Sequence, residues 1–244
     1  MLAGISWVDV LRETLVFKGG TALKKCYFGQ YRFSEDLDFS ALEDPPTGGA
    51  MGDAIQSACH EAVELLHEYA RVSLECERYT EREPHPGGQE AFTIRAQLPW
   101  HRGPLMRAMI EVTLDEPVLR ASPERNIIHN YGEQIDAQVQ VYSLEEIVAE
   151  KLRAILQHQK ILEKRGWARS RARDYYDVWR IVKSYRSELV LAGFPSFLRR
   201  KCAAKDVSFE RPTDFFRRSV LGDVERTWEQ WLDRWLLICL RSTL

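Results

Sequence analysis

Between Leu15 and Phe39 the sequence LVFKGGTALKKCYFGQYRFSEDLDF changes its apolar period twice, and this stretch constrains the fold more than any other. The apolar run Leu15 to Phe17 stops at Gly19-Gly20-Thr21, after which Ala22, Leu23 and Cys26 recur at helical spacing. The pattern predicts a strand, a tight turn and a short helix. Leu37 and Phe39 then alternate with Asp36 and Asp38, so a strand here buries the first pair and presents both carboxylates on its other face. Two like charges held that close repel, which raises a pKa or calls for a cation between them. Magnesium answers it, since it takes one or two carboxylates and completes its octahedron with water and phosphate oxygens. Upstream, Gly19 and Gly20 let the backbone approach a ligand closely. The helix starting near Thr21 offers unpaired N–H groups, and the Thr21 hydroxyl adds a phosphate donor. Singly, each feature has an ordinary reading: a strand with two solvent-facing acids, and a glycine turn before a helix. The turn is neither GxxxxGK[ST] nor GxGxxG.

The rest of the chain reads as a mixed sheet with helices followed by a helical part, joined near residue 142. After the linker Pro45, Pro46, Gly48 and Gly49, a helix is predicted from about Asp53 to Ala70. Strands are predicted at 72–80, 91–98, 107–114 and 139–142, with the turn-rich EPHPGG and PWHRGP segments between the first three. In the third, Glu111 faces away from the side built by Ala108, Ile110, Val112 and Leu114. Ser143-Leu-Glu-Glu146 has the spacing of a capping box and opens a helix to about His158. Further helices are predicted near 174–186, 194–204 and 223–240. At 244 residues, with 45% hydrophobic and 29% charged, the chain is globular in composition. Its longest late apolar run, Trp235 to Leu240, is too short to cross a bilayer, and Asp9, Arg12 and Glu13 interrupt any signal-peptide core. Five cysteines without a CxxC pair argue against disulfides and structural zinc, and the expected compartment is a reducing cytoplasm.

Charge is divided unevenly. Residues 1–150 carry 25 Asp/Glu against 13 Lys/Arg, and residues 151–244 carry 11 against 21. Lys151 to Arg186 alone holds 11 Lys/Arg against Glu163, Asp174 and Asp177. This basic run, including Arg169, Arg171 and Arg173 and interleaved with Trp167, Tyr175, Tyr176 and Trp179, suits an RNA backbone and stacked bases. The aromatics equally suit a helical core, the reading favoured for Tyr176 and Trp179; Trp228, Trp231 and Trp235 form a second core-like stripe. Asp174 and Asp177, three apart, share a helical face, where either can orient a hydroxyl or serve as partner to Arg171 or Arg173. The six histidines show neither HExxH nor cysteine partners at ligand spacing.

GGT followed within about fifteen residues by D-L-D resembles the polymerase β nucleotidyltransferase pattern, in which a glycine turn and a DxD share one substrate. FKGGTALKK, RFSEDLDF, AEKLRA and RARDYYDVW, in this order, resemble the AbiEii family of nucleotidyltransferase toxins, related to the MenT toxins, from about Leu15 to Tyr185. The resemblance implies an α+β fold: a nucleotidyltransferase core over residues 1–142 and a helical C-terminal domain over 143–244. It implies that Gly19, Gly20 and Thr21 handle the triphosphate and that Asp36 and Asp38 bind metal. Lys151 and Asp174 match the third and fourth motifs, and Glu111 is the candidate third metal carboxylate. The implied activity is Mg²⁺- or Mn²⁺-dependent transfer of a nucleoside monophosphate from an NTP to an acceptor, RNA such as the tRNA 3′ end. The implied setting is a type IV toxin–antitoxin system active in phage defence. Its antitoxin is separately encoded and forms no tight complex with the toxin. The alternative is a non-catalytic nucleotide- or RNA-binding module that keeps the fold.

Overall fold

Where the apolar run Leu15 to Phe17 meets a glycine, the sheet acquires its first strand and its first turn. The computed structural model describes the chain apart from residues 81–88, 131, 133, 134 and 231–244, and divides it into two compact units, Met1–Tyr142 and Ser143–Leu244. In the first unit, two short helices, α1 (Leu2–Trp7) and α2 (Asp9–Thr14), precede β1 (Leu15–Lys18). The turn then winds into α3 (Gly19–Ala22), which continues as a π-helical segment, Leu23–Phe28. Next come β2 (Leu37–Ala41), α4 (Gly49–Leu66), β3 (Ser73–Arg78), β4 (Gln89–Gln97), β5 (Met106–Thr113), β6 (Glu124–Asn126) and β7 (Gln138–Gln140).

Five strands form one mixed sheet in the order β1-β2-β5-β4-β3, with β2 and β5 parallel and the other neighbours antiparallel. Cross-strand partners share a face, so the register sorts the side chains. Phe17, Leu37, Phe39, Phe92, Ile110 and Val112 fall on one face and are buried; Phe17 and Phe39 lie 5.1 Å apart between ring centroids. The buried stripe Met51, Ile55, Ala58, Cys59 and Ala62 of α4 covers apolar surface. The opposite face carries Lys18, Asp38, Ser40, Glu111 and Thr113. There the Ser40 and Tyr142 hydroxyls bond at 2.6 Å, while Tyr142 N–H donates to the Phe17 carbonyl.

In the second unit, Ser143 caps α5 (Leu144–Arg165) by accepting from the Glu146 N–H, as the capping-box spacing predicts, and Gly166 ends it in the left-handed conformation. There follow α6 (Ala172–Tyr185), α7 (Phe194–Ala203), a 3₁₀ turn at Pro212–Phe216 and α8 (Arg218–Trp228). Ile155, Ala172, Val220 and Val224 form a core cluster, with Leu152, Tyr175, Tyr176 and Trp228 packed against it. A buried ion pair, Lys201 to Glu146 at 2.7 Å, ties α7 to α5.

The mixed α+β architecture matches the expectation from sequence. Among the described residues four elements escape it: α1 and α2, six residues each, β6, whose Glu-Arg-Asn has no apolar alternation to detect, and the 3₁₀ turn at Pro212–Phe216. Trp179, expected in the core, is 52% exposed, because α6 buries the Ala172, Asp177 and Ile181 face while Trp179 lies off it. The EPHPGG turn, Trp231, Trp235, Cys239 and the end of the helix expected to reach 240 lie outside the described residues. Among the described residues no helix is long and apolar enough to cross a membrane, and Cys26, Cys59, Cys76 and Cys202 are free thiols. Burial pushes the Cys26 thiol up to about 12.

Gly4 of α1 lies against α4 so closely that a Cβ there would fall 2.1 Å from the Ala58 carbonyl oxygen. Helix propensity favours alanine by about 1 kcal/mol, whereas overpacking against rigid backbone costs about 1–3 kcal/mol. Gly4→Ala is therefore expected to destabilise the first unit by up to about 2 kcal/mol, read as an earlier transition in urea unfolding.

Candidate functional site

Gly19 is the hinge on which the site of the first unit turns. Its φ of +80° admits glycine readily, and a Cβ there would fall 2.4 Å from Asp38 Oδ2. Lys18 is the last residue of β1 and pairs with Asp38 of β2, which pairs in turn with Glu111 of β5. The three therefore stand side by side on the polar face, with the glycine backbone against the middle carboxylate. At Gly20, a Cβ would meet Arg32 Nη2 at 2.6 Å and Ser34 Oγ at 3.1 Å. The turn is thus walled by a carboxylate on one side and a guanidinium on the other.

Asp36 sits differently from Asp38. The sequence pattern places both on one strand, but β2 starts at Leu37, and Asp36 is exposed in the segment before it. The reason is that β1 turns away at Gly19, directly after the Lys18–Asp38 pair, leaving no partner strand beside Asp36 on that side. Thr21 holds this segment instead: its hydroxyl donates to the Asp36 carbonyl at 2.6 Å. The Thr21 proton expected to face a phosphate is engaged there. Among the described residues no three His, Cys, Asp or Glu side chains gather into a group able to hold a metal ion. Asp36, Asp38 and Glu111 do not close into a three-ligand cluster. A hard cation needs no more than one or two protein carboxylates when phosphate and water complete its shell.

Lys18 had no role in the sequence reading. It is buried, with Nζ 3.1 Å from Thr113 Oγ1 and 3.4 Å from the buried Glu116 carboxylate, and 5.9 Å from the centre of the Tyr142 ring. Its signal is a lysine ending an otherwise apolar strand, where the alternation puts it on the carboxylate side.

In the second unit, Lys151 and Asp174 come together. Lys151 Nζ lies 3.0 Å from Asp174 Oδ1 and 2.7 Å from Asp177 Oδ2. The other Asp174 oxygen takes Arg171 Nη1 at 3.2 Å. Of the three arginines singled out in the basic run, Arg171 is thus engaged with Asp174, Arg169 is exposed and Arg173 is half-buried. Trp167 is exposed, and Lys183 lies 4.8 Å from the Trp179 ring centre.

The family model for the nucleotidyl transferase AbiEii toxin of type IV toxin–antitoxin systems matches residues 1–236, and the chain belongs to that family. Among solved structures it is similar to MenT4, a nucleotidyltransferase toxin from Mycobacterium tuberculosis H37Rv. That match has 20% identity and a TM-score of 0.42, and covers 92% of this chain and 90% of that one. It is also similar to an antigenic nucleotidyltransferase-like protein from Paracoccidioides brasiliensis, at 14% identity and a TM-score of 0.39, covering 88% and 97% of the two chains. No curated protein matches.

His158 adjoins the Arg171–Asp174 pair. It is buried in α5, with Nε2 3.7 Å from Asp223 Oδ2, and neither of these two atoms has a hydrogen-bond partner. Burial, then the Arg171 charge, holds the imidazole below its ordinary pKa, against the opposing pull of Asp223, the Arg169 backbone and Asp174. A histidine depressed in the folded state binds fewer protons folded than unfolded. Stability is then complete above about pH 6.5, the unfolded value, and is lost as pH falls below it. Thermal unfolding of the wild type is expected to shift down on acidification through that window by the linkage of one proton, and His158→Gln is expected to remove that share of the shift.

Proposed function

We propose that this chain transfers a nucleoside monophosphate from an NTP to an RNA acceptor, releasing pyrophosphate. The observation that carries the reading is the contact of Gly19 with Asp38. A backbone kept free of a side chain meets a carboxylate at the point where the strand turns into a helix. A nucleotide phosphate needs such close backbone access, and a hard cation needs the carboxylate. Asp36 and Asp38 are the residues proposed to hold Mg²⁺ or Mn²⁺, with Glu111, beside Asp38 in the ladder, as the candidate third. When bound, the metal would neutralise phosphate charge and favour the attacking oxyanion.

Gly19 and Gly20 give the triphosphate access to the backbone, and Lys151 supplies countercharge to it. The acceptor hydroxyl attacks the α-phosphorus in line. The new O–P bond forms as the bond to the bridging oxygen breaks, and the electron pair leaves with pyrophosphate. Asp174 is the proposed acceptor of the hydroxyl proton. The setting follows from the family, whose toxins belong to type IV systems with an antitoxin; the tRNA 3′ end is the proposed acceptor, and phage defence the proposed role.

Incubation with each labelled NTP and total tRNA tests the reading directly, and absence of transfer from all four would overturn it. Asp36→Ala and Asp38→Ala are each expected to lower transfer about a thousandfold, the several kcal/mol of charge stabilisation that a metal supplies. Because Asp36 is exposed in the segment before β2, Asp36→Ala should leave the melting temperature level.

The basic run gives a second check. Replacing Arg169 and Arg173 together by Gln, with Arg171 left on Asp174, is expected to raise KM for RNA more than KM for NTP. It should also flatten the salt dependence of RNA binding by one to two contacts, about 0.7 each on a single strand.

A further inference from the structure

Lys151 is flanked by two carboxylates, and they are not equivalent. Asp177 takes the shorter contact, 2.7 Å against 3.0 Å for Asp174, and its side chain is 0% exposed where that of Asp174 is 15% exposed. A carboxylate with no access to water depends on protein partners for its charge, and Lys151 supplies one. Asp174 is differently placed: it opens α6, it reaches solvent, and its second oxygen already rests on Arg171 at 3.2 Å.

An ammonium between two carboxylates offers little positive potential to a phosphate, since Lys151 and Arg171 together only balance Asp174 and Asp177. For Lys151 to serve a triphosphate, one carboxylate must turn from it. Asp174 can do so, because Arg171 keeps its charge balanced; Asp177 is enclosed. We propose that Asp177 is the positioning residue of this site: it pins the Lys151 ammonium in place so that Asp174 can exchange between Lys151 and the reacting groups. Asp177 touches no substrate in this scheme and acts through Lys151 alone. The inference rests on the reading of Lys151 as countercharge to the NTP and adds the residue that fixes it.

The test uses the full chain, with labelled NTP and total tRNA for transfer and ¹⁵N NMR for the Lys151 ammonium. Asp177→Asn is expected to raise KM for NTP at least tenfold and to erase the slowly exchanging Lys151 ammonium resonance. Asp174→Asn is expected to keep that resonance. Adding Asp177→Asn to Lys151→Met should lower transfer no further than Lys151→Met alone, because the residue acts only through the lysine. If Asp177→Asn does not fold, the apolar pair Lys151→Met with Asp177→Leu replaces it, expected to melt near the wild type and to match Lys151→Met in transfer. A retained resonance with unchanged KM in Asp177→Asn overturns the proposal, as does a further loss of transfer in either double variant. Full transfer by Lys151→Met would instead sink the countercharge reading, while the resonance still reports which carboxylate holds the ammonium.

Discussion

The pairing of Lys18 with Asp38, and of Asp38 with Glu111, is the constraint from which the polar face of the first unit follows. A strand register cannot slip by one residue without exchanging its two faces. Leu37 and Phe39 must enter the core beside Phe17, Ile110 and Val112, so Asp38 must stand on the opposite face with Lys18 and Glu111. Burial of the hydrophobic set thus aims the polar set. The apolar side is closed by α4, and Gly4 marks where a side chain would hold that helix away.

The same ladder sets where the turn falls. Because β1 ends at Lys18, the chain must leave the sheet beside Asp38, and Gly19 makes that departure with a positive φ. One residue position meets both demands, a left-handed turn and clearance for the Asp38 carboxylate. Asp36 then falls outside the ladder, held by the Thr21 hydroxyl on its carbonyl. The two acids of the D-L-D motif consequently differ in kind, one fixed by a strand and the other by a single tether.

The second unit is organised by charges withdrawn from water. Lys201 with Glu146, and Lys151 with Asp174 and Asp177, are buried or nearly so, and each group is met by an opposite charge. Such pairs contribute little net stability beside an apolar replacement, but breaking one leaves a stranded charge, so they fix geometry firmly. In α6 this outweighs apolar spacing. The face carrying Asp177 goes inward and Trp179 goes outward, the reverse of what aromatic content suggests.

Much of this was legible in the residues. The period changes between Leu15 and Phe39, the Ser143 cap and the α4 stripe are local signals, and local backbone preference and burial carry them into the fold unaltered. The short elements α1, α2 and β6 were not legible, since α1 and α2 each span less than two helical turns and the Glu-Arg-Asn of β6 has no apolar alternation. Nor was the polar company of the motifs. That Lys18 reaches Thr113 and Glu116, nearly a hundred residues away, is decided by strand order, which no spacing along the chain reveals. Asp174 and Asp177 share a helical face by sequence alone. That Asp177 is enclosed while Asp174 meets Arg171 and solvent is decided by the packing of α6 on α5, because desolvation depends on what covers a side chain and not on its neighbours in sequence.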